Sequence, residues 1–415
     1  MTLLTRALLT ATALLTPLTA ATPASIGAAS LGPVSIHPAT ASPALPARGC
    51  VSSVPYTAGQ GGYHTFRIPA TVVTGKGTVL AFAEGRRGGA GDSGDIDVVL
   101  RRSLDGGCTW GPLTVVAAGK GDTRGNPAPV VDPRTGRIVL VTSYNGGAVT
   151  EAQIMRGEVS PRESRRVFVQ TSGDDGRDFS APREITAEVK RADWRWYATG
   201  PGHAIALTRG PHAGRLVVPA NHSVAPPPGS PDTGQEARYY GGHAIYSDDG
   251  GRTWHLGFSD DSHDGHDNAN ESSAAQLPDG RIYFTARDQN GSSAGNRLDS
   301  YSDDGGRTLE RPYAVQHTLD DVPVVQGSVL QLRGPHAPLL FSGPSVPTAR
   351  QAMAIWRSTD GGRRFTRVLT LSRRKAAYSD QVQLPGGQAA ILYETGAKGP
   401  YETIEFRRTL LGVPH

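Results

Sequence analysis

Ser103-Leu-Asp105-Gly-Gly107-Cys-Thr-Trp110 is the stretch whose reading decides the fold, because the chain repeats it. It returns as Ser172-Gly-Asp174-Asp-Gly176-Arg-Asp-Phe179, Ser247-Asp-Asp249-Gly-Gly251-Arg-Thr-Trp254 and Ser358-Thr-Asp360-Gly-Gly362-Arg-Arg-Phe365. A degenerate copy, Ser302-Asp-Asp304-Gly-Gly306-Arg-Thr-Leu309, ends in leucine instead of an aromatic ring. Asp and Gly at these offsets build a tight turn: the carboxylate accepts from nearby backbone N–H groups, and glycine supplies the positive φ. Residues 96–101 before the first copy and 113–116 after it are apolar and β-branched, so the turn joins two strands. Local turn chemistry accounts for these aspartates, and we assign them to architecture, not catalysis.

A second repeat lies between the turns. Residues 70–83 around Thr74-Gly-Lys-Gly77, 272–286 around Pro278-Asp-Gly280 and 381–393 around Pro385-Gly-Gly387 read as hairpins. Similar apolar–turn–apolar units run over 126–142, 203–221 and 326–344, making six with starts near 67, 126, 203, 271, 326 and 378. A hairpin plus a turn-linked strand pair is four strands, one blade of a propeller. The expected fold is therefore all-β, a six-bladed β-propeller. The sixth unit has one further strand, 402–408, before the chain ends, so a segment around 50–56 would complete it and close the ring.

Hairpin symmetry places side chains. Two residues paired across a turn have numbers that sum to twice the turn centre, which sets Arg67 opposite Glu84, Glu271 opposite Arg287 and Tyr378 opposite Glu394. Each pair lies at the open end of its hairpin, away from the aspartate turns. Asp92 and Arg350 fall in the loops after second strands. Alone, any of the eight would be an ordinary solvated strand end. Eight on one rim, with two Arg–Glu pairs and a Tyr–Glu pair, form a candidate active site.

The remaining composition sets limits. A formal charge of +4 without a Lys/Arg run gives no nucleic-acid signature. Residues 1–28 combine an early charge, a short apolar run and a small-residue exit, the pattern of a secretory signal too short to span a membrane. Residues 29–48 are rich in Ala, Pro and Ser and read as a disordered linker, leaving 49–415 for the propeller. The two cysteines, Cys50 and Cys108, would meet an oxidising environment in a secreted, extracellular protein, and we expect them to pair.

Tyr63-His-Thr-Phe66-Arg67-Ile68-Pro69, followed by the aspartate turns, resembles the retaining exo-α-sialidases (neuraminidases) of the bacterial type, over residues 50–415. The resemblance implies hydrolysis of terminal α-linked sialic acids from glycans with retention, no cofactor, no metal and a monomer acting on sialylated substrates. It assigns Arg67, Arg287 and Arg350 to the substrate carboxylate, a role suited to the bidentate guanidinium fork. It makes Tyr378 the nucleophile and Glu271 its activating base. A neutral phenol avoids the repulsion that an anionic nucleophile would meet from the substrate's own carboxylate. Asp92 becomes the acid/base, with Asp95 the alternative in the same loop, and the acid is expected to have a raised pKa. Arg86 would contact a ring hydroxyl, and Glu394 and Glu84 would hold Arg67. Trans-sialylation, release of an anhydro sugar and a non-catalytic sugar-binding propeller remain alternatives. Asp260 to Asp267, with His263 and His266, is rich in metal ligands, but turn composition explains it and we read it as a solvated loop.

Overall fold

The computed structural model describes residues 50–260, 265–291 and 294–412. The expected signal (1–28) and linker (29–48) lie outside the described residues, as does His263. The fold is all-β. Among the described residues strands dominate, and the two α-helices, Glu151–Arg156 and Thr186–Val189, are short. Among the described residues no helix is long and apolar enough to cross a membrane.

The strands fall into six antiparallel meanders among the described residues. The first is Thr65–Val73, Val79–Arg86, Ile96–Ser103 and Thr114–Ala117. The second is Thr123–Val131, Ile138–Asn145, Arg166–Ser172 and Arg183–Glu184. In the third, Trp194–Thr199 and Ile205–Ala206 both pair with Leu216–Val224, and Tyr240–Ser247 and His255–Ser259 follow. The hairpin expected to open at residue 203 thus begins at Trp194, its first strand interrupted at Gly200-Pro201-Gly202. Ala269–Gln276, Ile282–Asp288, Arg297–Ser302 and Ala314–Val315 make the fourth meander. Ser328–Gln331, Leu339–Val346, Ala349–Ser358 and Thr366–Thr370 make the fifth. The sixth takes Lys375–Gln383, Ala389–Gly396 and Thr403–Arg408 from the C-terminal end and Ser52–Thr57 from the N-terminal end.

Each meander buries both faces. Alternate residues of a strand point to opposite sides, so Leu80 and Phe82 pack with Ile138 and Leu140 of the second meander. Val79 and Ala81 pack instead with Leu392 and Phe406 of the sixth. The same alternation joins the second to the third, the third to the fourth, the fourth to the fifth and the fifth to the sixth. Each fully buried Leu, Val or Phe contributes about 1.5–3 kcal/mol.

The aspartate turns link third to fourth strands and serve these interfaces. In the first, Ser103 Oγ donates to Asp105 (2.7 Å) and accepts from Gly107 N (2.8 Å), while Asp105 also accepts from Cys108 N and Thr109 N. The other four repeat the Ser–Asp and Gly–Ser bonds. Gly107 has φ +89°, and a Cβ there would stand 2.0 Å from the Phe406 ring of the sixth meander. Cys50 and Cys108 are disulfide-bonded, with Cα atoms 5.7 Å apart. The bond fastens the approach to Ser52–Thr57 onto this same turn.

Candidate active site

The end of the strands opposite the aspartate turns carries the ionisable cluster. Bulges interrupt the first strand of five meanders there, between Arg67 and Ala70, Gly125 and Ala128, Trp194 and Tyr197, Ala269 and Ser272, and Ala376 and Ser379. A bulge bends the strand and re-aims side chains. Two of these bulges hold non-glycine residues at positive φ, Ile68 at 57° and Asn126 at 51°. For a β-branched residue this is strained, and such strain persists where the surroundings over-determine it.

Glu394 supplies that constraint at Ile68. It is fully buried. Its Oε1 accepts from Arg67 Nε (2.8 Å) and Ile68 N (2.9 Å), and its Oε2 accepts from Tyr378 N (3.1 Å). One carboxylate therefore locks the first strands of the first and sixth meanders together and positions both Arg67 and Tyr378. It engages only Nε of Arg67, and among the described residues neither Nη group has a hydrogen-bond partner.

The Tyr378 hydroxyl donates to Glu271 Oε1, and Glu271 Oε2 accepts from Arg287 Nη1 at 2.7 Å. Gln289 accepts from Arg287 Nε (3.0 Å) and from Asn270 Nδ2 (2.8 Å), fixing the guanidinium plane. Burial and the Glu271 carboxylate push the Tyr378 phenol above its usual range, against the pull of Arg287, Arg67 and Arg350. Arg67 and Arg350 lie over the Tyr378 ring, 5.0 and 5.6 Å from its centroid. Tyr401 joins these two arginines: its ring stacks on Arg67 at 3.9 Å and its hydroxyl accepts from Arg350 Nη1 at 2.8 Å. Among the described residues, no carboxylate pairs with Arg350.

Two expectations are corrected here. Glu84 lies across from Arg67 in the backbone register, but its carboxylate does not hold Arg67. Its Oε2 accepts from Arg86 Nε (2.9 Å) and Nη2 (2.6 Å), and its Oε1 accepts from Asn126 N (2.8 Å). Cross-strand register sets Cα neighbours, but residues two apart on one strand share a face, so Arg86 is the closer cation. The second correction concerns Asp92. Its pKa was expected to be raised. Burial does oppose ionisation, but Arg86, at 2.8 Å, and Arg67 outweigh it and hold the carboxyl below its usual range. The Asp92 side chain is 66% exposed, so water screens part of this attraction. Asp95 lies apart from this cluster, bonded to Gly121 N and facing Arg87. Asp97 is buried and occupied by Tyr63 and Arg87.

Together these groups line a cavity of about 190 Å³ that contains Arg67, Arg86, Asp92, Glu271, Arg287, Arg350 and Tyr378. It is also lined by residues that sequence reasoning missed: Asn126, Glu151, Arg165 and Trp196. Glu151 opens the first helix, and Tyr240 donates to it. Burial pushes its carboxyl up, against the Tyr240 bond and Arg165. Buried Arg165 donates to Asn126 Oδ1 (2.7 Å) and Asn145 Oδ1 (2.8 Å) and stacks on Trp196 at 3.9 Å. Thr150-x-x-Gln153 is a capping box, a readable sign of the helix that delivers Glu151. A larger cavity lies at the hairpin-turn end and contains none of the seven. The candidate active site is the smaller one, where the ionisable groups converge. Among the described residues no three His, Cys, Asp or Glu side chains gather as a metal site.

Residues 77–391 match the family model described as a BNR repeat-like domain. The chain is 33% identical over 317 residues to an exo-alpha-sialidase of Aspergillus fumigatus, a match covering 72% of this chain and 69% of that protein. It is 31% identical over 356 residues to a sialidase of Micromonospora viridifaciens, covering 81% of this chain and about half (51%) of that longer protein. In structure it resembles the Hadza microbial sialidase Hz136, with a TM-score of 0.68 and 24% identity, covering 85% of this chain and 67% of the other.

Proposed function

From the premise that this chain belongs to the sialidase family, we propose that it is a secreted exo-α-sialidase that hydrolyses terminal sialic acids with retention. The observation that carries this reading is the hydrogen-bonded Tyr378–Glu271 pair set among Arg67, Arg287 and Arg350. Three guanidinium groups would bind the carboxylate on the anomeric carbon. Tyr378 Oη would attack that carbon as Glu271 takes the phenolic proton, forming a tyrosyl–glycosyl bond. Asp92 would give its proton to the departing glycosidic oxygen and then deprotonate the water that releases the sugar. Arg86 and Arg67 favour the carboxylate form of Asp92. A bound sialoside offsets them: its carboxylate neutralises part of their charge and its body displaces water, so the pKa of Asp92 rises as substrate arrives.

The architecture completes the reading. The six meanders are the blades of a six-bladed β-propeller over residues 49–415, with the site at one end of its axis. Support comes from the apolar interface between sixth and first meanders and from the pairing of Ser52–Thr57 with Thr403–Arg408. Export is supported by the pattern of residues 1–28 and by the Cys50–Cys108 bond.

A fluorogenic sialoside assay on wild type and Tyr378→Phe tests the proposal. Wild type is expected to turn over and the variant to lose at least about a hundredfold in kcat/KM. A folded but inert wild type removes the enzymatic reading, and full activity in Tyr378→Phe removes the nucleophile. NMR of the first-released anomer reads retention directly.

A further inference from the structure

At the opposite end of the strands the six hairpin turns surround a cavity of about 890 Å³. Among the described residues no aspartate or glutamate lines it. Three cations do: Lys76, Arg209 and Arg333, from the first, third and fifth meanders. None of them is ion-paired to a carboxylate among the described residues. Such a one-sign mouth is unusual in a chain whose acidic and basic residues nearly balance, 38 against 42, and it concentrates anions.

The inner wall is built, not incidental. His203 Nδ1 lies 2.7 Å from Asp380 Oδ1, while no hydrogen-bond partner of its Nε2 occurs among the described residues. Asp380 is fully buried and also accepts from Thr71 N (2.8 Å), His203 N (3.0 Å) and Ser328 Oγ (2.8 Å), joining four meanders. Two further side chains that line the cavity are buried with unsatisfied oxygens, Thr71 Oγ1 and Gln381 Oε1. Both oxygens lie under the cavity wall, so a hydrogen-bonding ligand would reach them through a small side-chain movement that gives each the partner it lacks.

The two kinds of unpaired group specify the ligand's chemistry. The Gln381 oxygen only accepts and calls for an O–H or N–H donor. His203 Nε2 and the three cations call for an anion. A bare oxyanion lacks the donor, and a neutral sugar leaves the cations unused. We propose that this mouth is a second ligand site, separate from the candidate active site, that binds a sugar acid: a small polyhydroxylated carboxylate.

Isothermal titration with glucuronate and with free N-acetylneuraminate tests it, using wild type, the triple variant Lys76→Ala/Arg209→Ala/Arg333→Ala, and Arg287→Ala in the other cavity. Wild type and Arg287→Ala are expected to share a binding event that weakens at least tenfold in the triple variant. Sialoside kcat/KM in the triple variant should stay within twofold of wild type. Thr71→Val, which keeps shape and removes the hydroxyl, should weaken the same event several-fold. A wild type whose only sugar-acid event vanishes in Arg287→Ala overturns the proposal, as does a triple variant that binds like wild type. Inorganic phosphate binding as tightly as glucuronate overturns the sugar-acid assignment. A chain that cleaves no sialoside but keeps the charge-dependent event leaves this site standing and removes only the catalytic reading.

Discussion

Replacing Glu394 by Gln changes no shape and one charge, at the point where three donors converge. Whichever way the amide turns, its NH₂ faces N–H groups: Tyr378 N on one side, Arg67 Nε and Ile68 N on the other. Arg67, only 5% exposed, loses its counter-charge. Breaking a buried pair from one side costs about 3–5 kcal/mol, because the surviving ion stays desolvated. An unfolding entropy of about 2.1 cal/mol/K per residue over residues 50–412 gives roughly 0.8 kcal/mol/K, so the midpoint should fall by about 4–6 °C. Activity should fall as well, by about tenfold or more in kcat/KM, since Arg67 and Tyr378 share the anchor. The control is Glu158→Gln. Arg156 meets Glu158 through two contacts of 2.6 Å, but on the surface, and no resolvable change is expected there. Scanning calorimetry and sialoside kinetics on both variants decide the matter. A loss below about 1 °C in Glu394→Gln with kinetics within twofold of wild type would refute the claim that this carboxylate organises the site.

Other expectations follow from single contacts. Arg86→Ala removes the nearest cation holding Asp92 down, so the alkaline limb of kcat/KM against pH should move to higher pH; a limb that stays or moves down denies Asp92 the acid's role. Gly107→Ala sets a methyl against Phe406 and should cost more than about 2 kcal/mol in a urea titration, whereas Gly59→Ala, with φ +79° but open space, should cost only about 1 kcal/mol. Reducing the Cys50–Cys108 bond, which closes a separation of 58 residues, should cost up to about 4 kcal/mol, read as the denaturation difference with and without reductant. Asp380 raises the pKa of His203 against the effect of burial. Its contribution is therefore complete below the unfolded pKa and is lost as pH rises through the folded one, so His203→Gln should destabilise more at pH 5.5 than at pH 9.5.

Much of the layout could be read from the chain because its signals are local. A Ser-x-Asp-x-Gly turn needs only its own atoms to form, so its five copies located the strand pairs. Reflection about a hairpin turn needs only regular pairing, and it set Arg67 across from Glu84. Two things escaped it. Bulges shift the register, as where Ala376 pairs with Thr395 but Ser379 with Tyr393, so backbone arithmetic stops one or two residues short of the site. Side-chain reach is also not register, which is why Glu84 went to Arg86. Glu151, Arg165 and Trp196 escaped for another reason. Glu151 and Arg165 lie in a long connection of the second meander, where a polar residue has no period to announce it, and Trp196 lies on the interrupted strand ahead of the hairpin expected at 203.

The pairing of Ser52 with Arg407 and of Thr57 with Thr403 has a consequence for synthesis. Ser52–Thr57 leaves the ribosome long before its partner Thr403–Arg408, so five meanders can form while it waits. Until Thr403–Arg408 emerges, the sixth meander exposes an open edge and half of an apolar interface. Termination just before that strand would therefore release a body with most of its meanders formed and one sheet edge unpaired, a species prone to aggregate. The sixth meander is complete only once the partner of its N-terminal strand has been made.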